Sequence, residues 1–353
     1  MDILITVVCL VVVLSVLVFI HEGGHYLAAR ACGVRVTEFM LGLPGPNVGF
    51  TWHGTKFGVT AVPLGGYARV CGMEADEESP FLKDAMTYVH RHGSATAVEL
   101  ARYLGTDEDG ALAALIELDE WGTVKAGKRT DDKYYDLYYA VADDVRGVGA
   151  AREVADPKAF YEAERSVQYR SKGFLKRIFI LLAGPGMNLL FAILAFVLIY
   201  SVMGFDVIDN VTQEITHVTV SVDRAVTAGF NYIGMVFMAI LGLFNPQTAA
   251  DTVSNSTSVV GIAVLSKAYF EAGFENALMF MAMISVSLGL MNMLPIPPLD
   301  GGRFLVEIWQ LVTRRAVSTN TLGFISLMGM TLFMLFFLFM LNQDIQRFVF
   351  GNW

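Results

Sequence analysis

Four long apolar stretches divide this chain, and each is long enough to span the hydrocarbon core of a membrane. Three contain no charged residue, and the last is interrupted only by serine and asparagine: 3–20, 178–203, 322–341 and 277–294. The apolar stretch at 226–244 is expected to lie at the outer interface, because one more crossing would reverse the later spans. The pattern predicts a polytopic α-helical membrane protein with about four transmembrane helices.

Composition agrees with a membrane protein. Hydrophobic residues make up 54% of the 353 positions, charged residues only 17%, and the mean hydropathy is +0.51. The net charge of -9 offers nothing to a nucleic acid, so no such partner is expected. Three cysteines without CxxC spacing indicate neither a disulfide framework nor a thiolate metal site.

Basic residues beside the spans predict the orientation, because Lys and Arg cluster on the cytoplasmic side. They follow the first span, precede the second and follow the third: Arg30, Arg35, Lys172, Lys176, Arg177, Arg303, Arg314 and Arg315. The segment at 205–274 is mainly acidic and suits the outer side. We therefore expect the N-terminus outside.

A β-hairpin is predicted soon after the first span. Apolar and aromatic residues roughly alternate over 48–62 around a turn at His53, Gly54 and Thr55. The residues at 63–67, Pro-Leu-Gly-Gly-Tyr, then close it. So apolar a hairpin beside a membrane helix is expected to enter the interface; the alternative is an ordinary surface hairpin.

Residues 79–160 have the composition of a soluble domain. Thr96 and Glu99 form a capping box for one helix, and Thr106 with the following acidic residues opens a second that runs to Trp121. With a first helix at 85–91 and a hairpin at 122–135, tipped by Gly127 and Lys128, the order predicts a winged-helix-like α/β insert.

The charge of this insert argues against DNA. Its predicted recognition helix, at 107–121, contains no Lys or Arg, and 83–170 holds 17 acidic against 12 basic residues. Phosphate contacts need the opposite charge. A regulator or a cytoplasmic part of a substrate is the expected partner.

The chemistry begins at His21, Glu22 and His25, an HExxH motif directly after the first span. Helical residues four apart share a face, so both imidazoles can bind one zinc while Glu22 acts on its water. Ionisable groups at the edge of an apolar span are costly and usually functional. The alternative is a helix end that carries these residues by chance.

Catalytic zinc needs a third protein ligand beside an open position, and Asp300 is the candidate. It follows three prolines in four positions, which cannot continue a helix. Counting crossings places Asp300 and the HExxH motif on the same, cytoplasmic side.

These motifs together resemble the site-two protease family of intramembrane zinc metalloproteases, in its bacterial branch of regulated intramembrane proteolysis. The resemblance covers 1–75 and 165–312 and rests on HEGGH, FMLGLPGP, PLGGYARV, LLAGPGMN and NMLPIPPLDGG. It implies zinc held by His21, His25 and Asp300, with Glu22 as the general base. It also implies substrate contacts at Asn188, Asn292, Gly65, Gly66 and Tyr67, and residence in the bacterial inner (plasma) membrane.

Many relatives carry a PDZ domain between the second and third spans, and the outer segment at 205–225 is too short for one. The extra domain is expected on the cytoplasmic side instead. The predicted regions are 1–35 (first transmembrane helix), 36–78 (membrane-associated β-hairpin), 79–160 (insert), 165–204 (second transmembrane helix), 205–274 (outer segment), 275–312 (third transmembrane helix and LDGG) and 313–353 (fourth transmembrane helix).

The predicted function is hydrolysis of a peptide bond in a single-span membrane protein substrate, within or next to its transmembrane segment, in transmembrane signalling. One alternative is a catalytically silent membrane scaffold or sensor that binds partners through the insert. Intact Glu22 speaks against it. A zinc transporter would need more intramembrane ligands than the remaining spans offer.

Overall fold

The computed structural model describes residues 2–62, 65–73, 78–127, 137–141, 147–208, 215–254, 256–315, 317 and 319–350. Within these residues, five helices are long and apolar enough to cross a membrane. They are α1 (Asp2–Ala31), α6 (Phe174–Val197, continued by a π-helical segment Leu198–Met203), α7 (Val222–Gly242), α10 (Phe274–Asn292) and α12 (Thr319–Asp344). The expected count of four is therefore corrected to five candidate spans.

The additional candidate is α7, which we expected to lie at the interface. Just before α7, Val220 donates a hydrogen bond to the Tyr200 carbonyl at 3.0 Å. Further along the chain, Gly229 of α7 packs on Ile193, which lies earlier in α6 than Tyr200. The helix therefore runs antiparallel beside α6. A further helix, α9 (Val259–Glu271), is joined to α10 through Ala272 and Gly273 and packs on it as a helical hairpin. Both α7 and α9 therefore lie between α6 and α10, so crossing parity alone does not exclude α7 as a span.

The site is framed by α1, α6 and α10, which pack closely through glycines. A Cβ on Gly24 would stand 2.3 Å from the Ala183 carbonyl oxygen, and one on Gly289 would stand 3.1 Å from that of Pro185. Ser285 donates to the Asn188 carbonyl at 2.9 Å. These contacts bring the C-terminal parts of α1 and α10 against the middle of α6.

A four-stranded sheet lies against the C-terminal half of α1. Its strands are β1 (Val36–Leu41), β2 (Asn47–Trp52), β3 (Thr55–Thr60) and β4 (Gly66–Val70), in the order β2-β3-β1-β4. The predicted hairpin is confirmed as β2 and β3; positive φ at His53 and Gly54 suits its two-residue turn. The parallel partner β1 was not predicted. It leaves β4 as an edge strand.

The insert contains three helices, a three-stranded sheet and a further helix. They are α2 (Leu82–His92), β5 (Ser94–Thr96), α3 (Ala97–Leu104), α4 (Glu108–Glu120), β6 (Val124–Ala126), β7 (Leu137–Ala140) and α5 (Pro157–Ser166), with sheet order β5-β7-β6. The capping box of Thr96 and Glu99 is confirmed. The hairpin extends beyond the expected 122–135, since its second strand begins at Leu137; Lys128, at the expected tip, lies outside the described residues. Phe160 and Tyr161 of α5 pack on the core of the insert. The insert therefore extends beyond the expected boundary at residue 160.

The remaining elements are short. A hairpin of β8 (Phe205–Ile208) and β9 (Ile215–Val218) follows α6, α8 (Ala249–Ser254) follows α7, and α11 (Asp300–Thr313) follows α10. Asp344, at the end of α12, accepts hydrogen bonds from the Ser258 and Gly261 amides at the start of α9. The peptide bond between Pro297 and Pro298 is cis.

Candidate metal and catalytic centre

Two imidazoles of α1 meet one carboxylate of α11. The Nε2 atoms of His21 and His25 lie 3.3 Å apart, and they lie 3.1 and 3.2 Å from Asp300 Oδ2. Both histidines are buried. Residues 279 positions apart in the chain thus meet as the resemblance implied.

These three atoms fit a zinc ion. Ligands about 2.05 Å from a tetrahedral centre lie about 3.3 Å from one another, close to the separations observed. The set of two imidazoles and one carboxylate also leaves a fourth position for water or substrate, as catalytic sites require. His21, His25 and Asp300 therefore form a group whose geometry fits a zinc ion.

The other ring nitrogens are held in the orientation that zinc binding needs. His25 Nδ1 donates to the Ile180 carbonyl oxygen at 2.8 Å, so the Nε2 lone pair is available. The Asn188 amide lies 3.1 Å from His21 Nδ1, and its Oδ1 has no protein partner. The oxygen and nitrogen of an amide occupy nearly the same space, and turning the amide over lets His21 donate to Oδ1. Asn188 then orients His21 for metal.

Glu22 lines the same cavity as the two histidines and also contacts the sheet. Its Oε2 accepts a hydrogen bond from the Ala68 amide on β4 at 2.9 Å. Gly66 makes this approach possible, because a Cβ there would stand 2.6 Å from Val18 Cγ1. Glu22 and the edge strand are thus in direct contact.

A cavity of about 690 Å³ joins the zinc ligands to β4. Its lining includes the site residues, the strand and the start of α11: His21, Glu22, His25, Gly66, Tyr67, Ala68, Arg69, Pro298, Asp300 and Arg303. It also includes Glu38 and, from the insert, Glu120. Burial and a hydrogen bond to Glu38 raise the pKa of Tyr67 to about 12, so its hydroxyl remains protonated near neutral pH.

The predicted substrate residues do not all reach this cavity. Gly66 and Tyr67 line it, whereas Gly65 forms the preceding turn with a φ of 88°. Asn188 is fully buried behind His21, and Asn292, the last residue of α10, is not part of the lining among the described residues. No local sequence pattern pointed to Glu38 or Glu120, since both are carried to the cavity by long-range packing.

A buried ion pair anchors the helix that carries Asp300. Glu307, on α11, lies 3.0 Å from Arg177 on α6 and accepts a hydrogen bond from the Tyr169 hydroxyl at 3.2 Å. Residues 300 and 307 are two turns apart and share a helix face. This contact holds the third ligand against α6.

Fold and site define a class of protein: a membrane protein with the zinc centre of a metalloprotease. Comparison with known proteins makes this specific, because the model of peptidase family M50 matches residues 9–336, and the chain belongs to that family, the site-two proteases. It is 26% identical to zinc metalloprotease RasP of Oceanobacillus iheyensis, over 97% of this chain and 99% of the relative. RasP of Geobacillus kaustophilus is 24% identical, over 97% and 98%. The chain is a zinc metalloprotease.

Proposed function

We propose that this protein is an intramembrane endopeptidase that cleaves a single-span membrane protein within or next to its transmembrane segment, and that it serves transmembrane signalling. The carrying observation is the position of the zinc site: His21 lies two-thirds along an apolar helix and contacts Asn188 in the middle of another. A substrate must reach this depth to be cut.

Strand β4 offers a way to hold such a substrate. Helical peptides shield their amides, so a protease in the membrane needs its substrate extended, and pairing with a free sheet edge satisfies the exposed backbone groups. The N–H group of Ala68 points away from β1 towards the free edge of β4, where it donates to Glu22. By the alternation of an antiparallel strand, Gly66 and Val70 face the same free edge.

The chain's own groups then supply proton transfer. Zinc held by His21, His25 and Asp300 would lower the pKa of a bound water and polarise the scissile carbonyl. Glu22 accepts the proton of that water and returns it to the departing amine. Asn188 and the Ile180 carbonyl keep both imidazoles in their ligating orientation. The placement of Glu22 in the cavity favours this function over a silent scaffold.

We further propose the inner (plasma) membrane as the location, with the N-terminus outside and the site open to the cytoplasm. The positive-inside distribution supports it: Arg35, Arg177 and Arg303 all lie at the end of the bundle that carries the insert. The insert is then cytoplasmic, where it can contact a regulator or the cytoplasmic part of a substrate.

The test compares wild type with Glu22→Gln in a reconstituted membrane with a single-span substrate. The introduced side-chain amide can still accept from the Ala68 amide, so the fold and the bound zinc should persist while cleavage falls by about 10²-fold or more. Zinc content is measured on the same samples. Unchanged cleavage with full zinc would refute the mechanism.

A further inference from the structure

The insert is docked on the substrate-binding sheet through one turn. Between α4 and β6 the chain reverses at Gly122, where a Cβ would stand 2.6 Å from Thr37 Cγ2 and 3.4 Å from Cys71 Sγ. Thr37 belongs to β1, and Cys71 directly follows β4. The insert therefore rests on the two strands nearest the site.

Asp119, in the last turn of α4, joins three elements. Its Oδ2 lies 2.8 Å from Arg69 Nη2 on β4, and its Oδ1 accepts the Ala126 amide of β6 at 3.1 Å. Arg69 directly follows Ala68, whose amide contacts Glu22. A single carboxylate thus links the insert to the strand beside the catalytic base.

A second set of contacts keeps this turn in place. Arg35, just before β1, lies 2.7 Å from Glu164 on α5 and donates to the Trp121 carbonyl. The buried Gln168 donates to the same carbonyl at 3.3 Å and to the Glu164 carbonyl at 3.0 Å. The turn therefore has little freedom to move independently of the sheet.

We propose that Asp119 is a positioning residue that acts through Arg69: the insert fixes edge strand β4 beside Glu22 and thereby sets how well an extended substrate is placed. An edge strand has a sheet partner on one side only, here β1. The ion pair supplies a second attachment close to the free edge. Occupation of the insert by a regulator would then change cleavage through β4. This inference rests on the proposed function, since it takes β4 as the strand that receives substrate.

The experiment is a double-mutant cycle of Asp119→Asn, Arg69→Gln and both, in the full chain. The amide oxygen introduced by Asp119→Asn still accepts the Ala126 amide, so the insert should stay folded. Each single variant should lower kcat/KM for a transmembrane substrate about ten-fold, because misplacement at the site is costly. The double variant should be no worse than either single one, since both remove one interaction. Arg69→Lys, which keeps the charge, should lie nearer to wild type.

Hydrogen exchange provides a readout that does not depend on cleavage. Amides of β4 should exchange faster in both single variants, while the core of the insert and the zinc content stay as in wild type. The control is Arg165→Gln. It removes an ion pair in which Arg165 lies 2.7 Å from Glu78, and neither residue belongs to β4. This variant should keep kcat/KM within about two-fold of wild type.

Three results would overturn the proposal. The first is an Asp119→Asn variant whose kcat/KM and β4 exchange rates equal those of wild type. The second is a double variant whose fold-loss in kcat/KM equals the product of the two single losses. The third is loss of activity in Arg69→Gln with β4 protection unchanged. If wild type cleaves no transmembrane substrate but β4 protection responds as expected, the proposed function fails and the positioning role stands.

Discussion

The carboxylate of Glu22 accepts a hydrogen bond from the Ala68 amide at 2.9 Å, which joins the catalytic helix to the edge strand of the sheet. The proposed function therefore couples chemistry and substrate binding in space, because the amide that contacts the proposed base lies on the strand edge proposed to receive an extended peptide. The close approach depends on a residue without a side chain at position 66.

Gly66→Ala should impair cleavage without removing zinc. The new Cβ would stand 2.6 Å from Val18 Cγ1 and 2.9 Å from the Met40 carbonyl oxygen, so β4 must move away from α1. We expect about a ten-fold or larger loss of kcat/KM. Zinc content should match wild type, because the ligands are on other elements. A fully active variant would show that the contact between β4 and α1 is unnecessary.

Gly184→Ala should remove zinc itself. Its Cβ would stand 2.2 Å from His25 Nε2, the ligating atom, so the imidazole must leave its position. Gly186→Ala is the matched control, because a Cβ there meets nothing within 4 Å on the same helix. Metal analysis of the two purified variants should find zinc only in the second. Equal zinc content in both would contradict the described packing of α6 on α1.

Asn188→Ala should weaken zinc binding while keeping all three ligands. Loss of the partner of His21 Nδ1 frees the imidazole to rotate, and outer partners of metal-bound histidines typically contribute roughly 10- to 100-fold in affinity. Competition with a chelator measures the change. If affinity is unchanged but KM rises, Asn188 contacts substrate instead, as the resemblance implied.

The local features of the site could be predicted, because they depend on short-range rules. Spacing of four residues places His21 and His25 on one helix face, and a turn with positive φ forms at His53 and Gly54. Asp300 was found from its motif and from crossing parity. The helix face, the turn and the motif need only a few neighbouring residues, whereas crossing parity needs the count of spans along the chain.

What could not be predicted depends on contacts between distant segments. The parallel pairing of β1 with β3, which leaves β4 at the edge, has no signature in either strand. Arg69 and Asp119 look like ordinary surface charges until the insert folds back on the sheet. Whether α7 crosses the membrane also cannot be read from its own sequence, since α9, a helix between α7 and α10, has only 13 residues and does not have the length of a span.

Glu117 should make the stability of the insert depend on pH. Burial raises the pKa of this carboxyl to about 7, and although Oε2 accepts the Ser79 amide at 3.0 Å, Oε1 has no protein partner. The folded state therefore holds the proton more tightly than the unfolded state. Stability is full below the ordinary carboxyl pKa and falls as pH rises through about 7.

Glu117→Gln should remove this dependence, because the introduced amide stays neutral and can still accept from Ser79. Between about pH 5 and 8 the insert of the wild type should lose about 1 kcal/mol of opening free energy, a value reduced by solvent screening, and the variant should lose almost none. Hydrogen exchange of α4 amides in the full chain, corrected for the intrinsic effect of pH, gives both values. Parallel pH profiles for the two proteins would show that Glu117 ionises normally in the folded insert. If the opening free energy falls more steeply with pH in wild type than in Glu117→Gln, pH would also act on β4 through Asp119. Asp119 lies about half a turn beyond Glu117 on the same helix.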